Sequence, residues 1–276
     1  NGSSKNLIEK IKNLDDERII LKTTNKNKAV NWNYTRAIKE AKADYTVLFH
    51  DDDIIHFQFL EHVIKAINKF PGIGLICSGM LHSKMPESLK MKNFKTKFKH
   101  YQNSLGLMEM AYWGFPINFS SSVYYTPFIK QTQFRINEYQ KISDRPFMFE
   151  IAKYNGVVIL PAPYIYCRVH EFQDSNTNET GPFKNHIINL HKLYYKEFSK
   201  GGILSKFIFY SNFKYHLKKE YKNLKNQNFK GYKTMVTNSL KLSSKELFII
   251  DFLYSLKIFN IFKLYRLINR TFFQYS

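Results

Sequence analysis

Two patterns of apolar residues alternate over the first 80 positions of the chain. Short apolar runs of strand length occur at residues 18–23, 45–49 and 73–78. Between them, residues 28–42 and 57–70 place apolar side chains at helical spacing. Strands and helices that alternate in this way are typical of α/β proteins, in which helices join parallel strands. The pattern therefore predicts an α/β fold with a mostly parallel sheet flanked by helices.

The alternation ends after Gly79. Residues 83–103 are polar and rich in lysine, which predicts an excursion over the surface. The segments that follow predict a strand at 120–125, a helix at 142–154, and two short strands at 157–160 and 164–169 with Pro161 and Pro163 between them. Beyond residue 181 the pattern is mainly helical, with predicted helices at 184–198, 206–224 and 245–272.

The charge of the chain is concentrated in this helical part. The net charge is +20 over 276 residues, and residues 185–276 contain 17 Lys or Arg against four acidic residues. We therefore expect two domains, an α/β domain at 1–180 and a basic, aromatic-rich helical region at 181–276. Such an excess favours anionic partners: nucleic acid, an acidic membrane surface or a phosphate-bearing substrate.

The two cysteines, Cys77 and Cys167, lie in apolar runs of strand type. They predict buried free thiols and exclude a disulfide framework. No window approaches the roughly 18 uninterrupted apolar residues of a membrane span, and residues 1–10 are too polar for a signal peptide. We expect a cytoplasmic protein, with contact at the inner face of the cell membrane as a further alternative.

The residues with the clearest chemical meaning are His50, Asp51, Asp52 and Asp53, which follow the apolar run at 45–49. Ligands of open α/β sheets bind at the carboxyl ends of strands. Three consecutive carboxylates repel one another unless a cation or hydrogen-bond donors compensate, and Mg²⁺ or Mn²⁺ prefers such oxygen ligands and in turn binds substrate phosphates. The alternative is a solvated turn that caps the next helix.

In these segments the sequence resembles the family 2 glycosyltransferases, which have the GT-A fold and use nucleotide-sugar donors. The opening residues N-G-S-S resemble the turn after the family's second strand, and residues 35–53 resemble the helix and strand that lead to its D-x-D motif. The segment S-D-R at 143–145 resembles the part that carries the catalytic base, and Y-C-R-V-H at 166–170 resembles the end of the domain. The resemblance covers residues 1–175.

The resemblance implies a GT-A-like, Rossmann-like fold and a set of roles. Asp52 and Asp53 would be metal ligands together with His170, and Asp144 would be the catalytic base. His50, Asp51, Arg168 and Arg36 would contact the donor. Asp144 alternatively caps the following helix, and His170 alternatively is a surface histidine. A carboxylate at a helix start has its pKa lowered by the helix dipole, so burial would have to offset this effect.

The sequence departs from the family pattern in three places. His50 stands where the first aspartate of D-x-D is usual, and Ala43-Asp44 stands where the turn before that strand usually has a glycine. The first strand, loop and helix of the family have no counterpart, and we therefore expect a version of the enzyme that is incomplete at its N-terminus.

The resemblance implies an inverting, metal-dependent glycosyltransferase with Mn²⁺ or Mg²⁺ as cofactor. It would move a hexose from a UDP- or dTDP-sugar to a hydroxyl of a saccharide or lipid-linked acceptor in bacterial surface polysaccharide synthesis. The alternatives are a non-catalytic protein that binds anionic membrane or nucleic acid, and a metal-dependent phosphoryl-transfer enzyme. No nucleic-acid motif occurs, so nucleic acid is the less favoured partner. The apolar helix predicted after Glu246 either packs against its neighbours or lies on anionic lipid.

Overall fold

The computed structural model describes residues 4–26, 28, 30–112, 117–170, 182–223, 228–261 and 264. The chain divides into two compact units, residues 1–43 and residues 44–276. The first unit contains helices α1 (Lys5–Lys12) and α2 (Val30–Glu40). The hydroxyl of Ser4 accepts a hydrogen bond from the backbone N–H of Leu7 and so caps α1.

The strand predicted at residues 18–23 does not form. This segment of the first unit is irregular, and the side chain of Ile20 is 72% exposed. β-branched residues favour a strand only where a neighbouring strand pairs with the backbone and a packed face covers the side chains. None of the described strands pairs with this segment, so its β propensity has no effect.

All described strands of the second unit form one sheet. They are β1 (Tyr45–Val47), β2 (Ile54–Ile55), β3 (Leu75–Ser83), β4 (Lys99–Tyr101), β5 (Ser122–Tyr125) and β6 (Val157–Arg168). Their order is β1-β5-β3-β6-β2, and β4 also pairs with β6. Only β3 and β6 are parallel, and the other four pairings are antiparallel. The predicted α/β class is confirmed, but the sheet is mixed rather than mostly parallel, because periodicity locates a strand without fixing its direction.

The two short strands predicted around Pro161 and Pro163 are a single strand, β6. The pairing of β6 with β3 shifts register on both sides of Gly79, which pairs with Pro163. Proline cannot donate to a strand ladder and is tolerated at such a bulge. A Cβ atom on Gly79 would lie 2.7 Å from the carbonyl oxygen of Pro161, so the bulge requires glycine there. The strand therefore continues through both prolines.

Helices cover the sheet. Between the strands the chain forms α3 (Phe59–Lys69), α4 (Ser104–Tyr112), α5 (Thr126–Gln131), α6 (Ile136–Tyr139) and α7 (Asp144–Asn155), with 3₁₀ turns at Pro86–Ser88 and Gln140–Ile142. One core cluster joins α3 to the sheet through Phe59, Val63, Ile76, Val158 and Tyr164. The helices predicted at 28–42, 57–70 and 142–154 are present as α2, α3 and α7, with bounds that differ by one or two residues.

The last part of the second unit is helical, as predicted. It contains α8 (Pro182–Lys200), α9 (Gly202–Asn223), α10 (Phe229–Leu240) and α11 (Ser244–Ser255). The carboxylate of Glu246 accepts hydrogen bonds from the hydroxyls of Tyr195 and Tyr210, each at 2.7 Å, and thereby holds α11 against α8 and α9. The predicted boundary between domains at residue 180 stays a prediction.

The helix predicted to reach residue 272 is described only in part. The helix α11 ends at Ser255, and residues 262, 263 and 265–276 lie outside the described residues. In the part of the chain that the structure describes, no helix combines the length and the apolar character that crossing a bilayer requires.

Candidate active site

The acidic turn predicted from the sequence follows β1 and connects it to β2. Its three aspartates have different surroundings. The side chain of Asp53 is 1% exposed and accepts hydrogen bonds from the Ser120 hydroxyl and from the backbone N–H of Arg168, both at 3.2 Å. Asp52 is half-buried and Asp51 is exposed. Two donors therefore compensate the buried carboxylate of Asp53, as the repulsion within the triplet requires.

Three side chains of this turn could hold a metal ion. One potential ligand atom from each of His50, Asp52 and Asp53 lies within 4.8 Å of the others. Among the described residues, this is the one cluster of three such side chains that could share a metal ion. Mn²⁺ binds both carboxylate oxygens and imidazole nitrogen, whereas Mg²⁺ binds mainly through the carboxylate oxygens. The chemistry of these donors and their spacing fit a divalent cation.

The end of β6 brings two predicted residues to the same turn. Nε2 of His170 lies 3.2 Å from a carboxylate oxygen of Asp52. The side chain of Arg168 donates from Nε to the backbone carbonyl of Asp52 at 3.2 Å, and its guanidinium forms an ion pair with Glu87. Arg168 thus fixes the turn with both its backbone and its side chain. His170 is not one of the three residues whose atoms lie within 4.8 Å of one another.

Asp144 is the first residue of α7. Burial raises the pKa of its carboxyl group, although Arg145, backbone N–H groups and His50 act in the opposite direction. Desolvation therefore outweighs the helix dipole, as a base at the start of a helix requires. His50 of the acidic turn is thus one of the charged groups that act on Asp144.

Two further predicted residues have a different placement. Arg36 belongs to α2 of the first unit, where its guanidinium lies 5.0 Å from the ring centre of Trp32 and donates to the carbonyl of Lys22 at 3.4 Å. Asp51 is exposed. Their proposed contact with the donor stays a prediction. Residues 1–3 of the N-G-S-S segment lie outside the described residues.

Sequence reasoning missed Ser120 and Glu87. Ser120 lies 67 positions from Asp53, in a run of three serines that was assigned to a strand. Glu87 is the only acidic residue in a stretch with five lysines, at 84–98. A single carboxylate in so basic a segment could have indicated that Glu87 pairs with one particular cationic side chain. The two cysteines are free, as predicted, although Cys167 is only partly buried.

A mixed α/β sheet flanked by helices is the architecture of the GT-A class of glycosyltransferases, and the fold of this chain is GT-A-like. Residues 1–125 match the model of the family "Glycosyl transferase family 2". The predicted family and the predicted enzyme class are confirmed. Enzymes of this family generally use a divalent metal and bind nucleotide-sugar donors and acceptors.

Solved structures of TarS from S. aureus have a similar fold. TarS 1–349 is 12% identical with a TM-score of 0.51, and the match covers 88% of this chain and 70% of that one. TarS 1–349 in complex with UDP-GlcNAc is 13% identical with the same TM-score and covers 86% and 70%. A third structure of TarS is 13% identical, with a TM-score of 0.51, and covers 87% and 42%. A comparison with curated proteins gave no match.

Proposed function

We propose that the chain is an inverting, metal-dependent glycosyltransferase that transfers a hexose from a nucleotide-diphosphate sugar to an acceptor hydroxyl. The observation that carries this proposal is the group of His50, Asp52 and Asp53 after β1, with ligand atoms within 4.8 Å of one another. These residues would hold Mn²⁺ or Mg²⁺, and His170 would act as a fourth ligand. The cation, when bound, would supply the positive charge that stabilises a departing diphosphate.

We propose UDP- or dTDP-sugars as donors. The TarS structure with UDP-GlcNAc supports a uridine nucleotide, since the two proteins have a similar fold. Asp51 and Arg36 would assist donor binding. Arg168 would keep the turn in place, because it already donates to the backbone of Asp52.

In the proposed reaction Asp144 acts as the base. The acceptor oxygen attacks the anomeric carbon, the bond from that carbon to the diphosphate oxygen breaks, and the acceptor proton moves to the Asp144 carboxylate. A single displacement of this kind inverts the anomeric configuration. The raised pKa of Asp144 supports the role, because a base is most effective when its pKa lies near the working pH.

The proposed acceptor is a saccharide or a lipid-linked saccharide of a bacterial surface polysaccharide, and the proposed place of action is the inner face of the cell membrane. Helix α11 supports contact with lipid. Its outer side exposes Phe248 (71%) and Phe252 (51%), and Leu256 follows at 54%. Lys245 and Lys257 are exposed beside them. Apolar side chains with flanking lysines are typical of helices that bind anionic bilayers.

The proposal is tested by calorimetry of UDP binding to the full chain with and without Mn²⁺. We expect metal-dependent binding that Asp52→Asn weakens by at least about tenfold, because one ligand charge is lost. Asp44→Asn is the matched control, since Asp44 is an exposed aspartate just before β1 and outside the acidic turn. It should leave UDP binding unchanged. UDP binding that is indifferent to both Mn²⁺ and Asp52→Asn would contradict the proposed site.

A further inference from the structure

Residues 84–98, which we call the lysine strap, form a strongly basic surface beside the candidate active site. The strap contains five lysines and one acidic residue, Glu87. The ion pair with Arg168 neutralises Glu87. All five lysines are exposed: Lys84, Lys90, Lys92, Lys95 and Lys97. Phe94 and Phe98 point the other way and pack against the core of the second unit.

Hydrogen bonds from His56 and to Gln58 anchor the backbone of the strap at two points. His56 is fully buried, and its Nε2 lies 3.0 Å from the carbonyl oxygen of Lys92. Since the backbone N–H of Gln58 donates to Nδ1 of His56, the proton is on Nε2, which donates to Lys92. The side chain of Gln58 also accepts a hydrogen bond from the backbone N–H of Phe94 at 2.7 Å.

The second half of the strap, residues 92–98, runs along α3. It meets His56 and Gln58 just before α3 begins, and its Phe98 lies against Phe70 just after α3 ends. The 11 residues of α3 rise by about 17 Å. Lys92, Lys95 and Lys97 therefore follow one another along the helix instead of converging on one point.

The beginning of the strap lies at the candidate active site. The strap leaves β3 at Ser83, whose carbonyl accepts a hydrogen bond from the backbone N–H of Val169 at 2.8 Å. Glu87 then pairs with Arg168, the residue that holds the backbone of Asp52. A chain-like molecule with one end at the acidic turn could thus continue along the lysines.

We propose that the lysine strap binds the acceptor and that this acceptor is a polyanionic chain with repeated phosphate or carboxylate groups. This inference rests on the proposed function and specifies its acceptor. Lysines spread over a line match repeated charges, whereas a single phosphate could reach only one or two of them. Neutralising several phosphates releases counterions and gives salt-dependent affinity.

Two other anionic partners fit the strap less well. Single-stranded nucleic acid is held by aromatic rings that stack on its bases, but the phenylalanines of the strap face the core. Peripheral binding to a bilayer adds apolar insertion to charge, and Met85 is the only residue of the strap among the exposed large hydrophobic residues. The strap offers charge without an apolar or aromatic surface, which favours a polyanion in water.

The test uses inorganic polyphosphate as the probe, with fluorescence anisotropy at 0.15 M NaCl. The strap variant carries Lys90→Gln, Lys92→Gln, Lys95→Gln and Lys97→Gln. The control carries Lys130→Gln, Lys192→Gln, Lys196→Gln and Lys219→Gln, which removes the same charge from exposed positions elsewhere. We expect the strap variant to bind polyphosphate at least about tenfold more weakly and the control to stay close to the unmodified chain.

UDP binding with Mn²⁺, measured on the same proteins, separates this inference from the proposed function. Retained UDP binding in the strap variant shows that it is folded. Equal loss of polyphosphate binding in both variants would overturn the strap assignment alone, because net charge would then be the cause. Tighter binding of an oligonucleotide than of polyphosphate, or loss of phosphatidylglycerol vesicle binding in the strap variant, would also overturn it. Strap-dependent polyphosphate binding without any UDP binding would support the surface and refute the proposed function.

Discussion

The three consecutive aspartates show how strongly the surroundings determine the chemistry of one residue type. Asp53 is buried and bound by two donors, Asp52 is half-buried beside His170, and Asp51 is exposed. A buried carboxylate that is held in this way keeps one orientation. Only Asp52 and Asp53, together with His50, present atoms close enough to share one cation. The register of the motif is therefore set by packing around the turn.

Asp144 allows a prediction of pH dependence. Burial raises its pKa, so its carboxylate is protonated, and lost as a base, at a higher pH than an ordinary aspartate. We expect kcat/KM for sugar transfer to fall as the pH decreases through this raised pKa, so that the acidic limb lies at a higher pH than an ordinary aspartate would give. Asp144→Asn should lower kcat by about 10²–10⁴-fold and leave Mn²⁺-dependent UDP binding intact. The measurement is a pH–rate profile with UDP calorimetry.

The result that would exclude Asp144 as the base is an unchanged acidic limb in Asp144→Asn. Glu150→Gln is a suitable control, since Glu150 belongs to the same helix and pairs with Lys153 at 2.7 Å. It should change neither the rate nor the profile.

At the scale of elements, β6 has the largest influence on the site. It pairs with β3 on one side and with β2 and β4 on the other, and its last residues hold the acidic turn. The bulge opposite Gly79 lets the strand continue past Pro161 and Pro163 until Arg168 reaches Asp53. Without the bulge, the prolines would interrupt the ladder before the strand reached the site.

The bulge predicts the effect of Gly79→Ala. The new Cβ would lie 2.7 Å from the carbonyl oxygen of Pro161 and 2.9 Å from that of Ala162. Because both obstacles are backbone atoms, the strands must separate, and we expect the free energy of unfolding to fall by about 1–3 kcal/mol. Urea denaturation measures the change.

Gly231→Ala in α10 is the control for that substitution. The nearest atoms there belong to the side chain of Asn228, which caps α10 by accepting a hydrogen bond from the Gly231 N–H at 2.8 Å. Because a side chain can shift more easily than backbone, and alanine favours a helix, we expect the control to lose less stability than Gly79→Ala. Equal losses in the two variants would contradict the tight pairing of β3 and β6 at Gly79.

At the scale of the molecule, positive charge is concentrated in the helical part. Residues 185–276 carry 17 of the 42 basic residues and only four of the 22 acidic ones. All four acids make internal contacts: Glu246 accepts from Tyr195 and Tyr210, Asp251 pairs with Lys214 and Lys233, Glu220 contacts His191, and Glu197 contacts Lys200. Four acids can neutralise only a few of the 17 basic residues, so this part keeps a large positive charge.

This distribution predicts binding to anionic vesicles through α11. We expect the protein to sediment with phosphatidylglycerol vesicles. Combining Phe248→Ser with Phe252→Ser should weaken this binding, with a loss of binding free energy of at most about 1.5–3 kcal/mol for each ring. The control is Leu60→Ser with Ile64→Ser on α3, a pair with the same spacing and comparable exposure, 59% and 56%. Equal losses in both double variants would refute a specific lipid contact of α11.

The elements near the site could be predicted from the sequence because their signals are local. The apolar run before the acidic turn, the helical spacing of α3 and α7, and the helices α8, α9 and α11 agree with the prediction. Helix α10 was not predicted, because Gly231 was interpreted as a break although it lies within that helix. The same holds for the family, whose motifs are short segments in a fixed order. The strand at residues 18–23 was predicted wrongly, since a strand also depends on a partner that the segment itself does not contain.

The amino-acid sequence by itself determined which residues could act: an acidic turn after a strand, an aspartate at a helix start, and an arginine and a histidine after the last strand. Only the tertiary structure decided that Arg168 and His170 reach Asp52 across more than 100 positions, that Glu87 pairs with Arg168, and that Asp53 is the buried member of the triplet. The physical reason is that burial and long-range hydrogen bonds depend on strand order and direction. Those are fixed by packing of the whole unit, and no short segment encodes them.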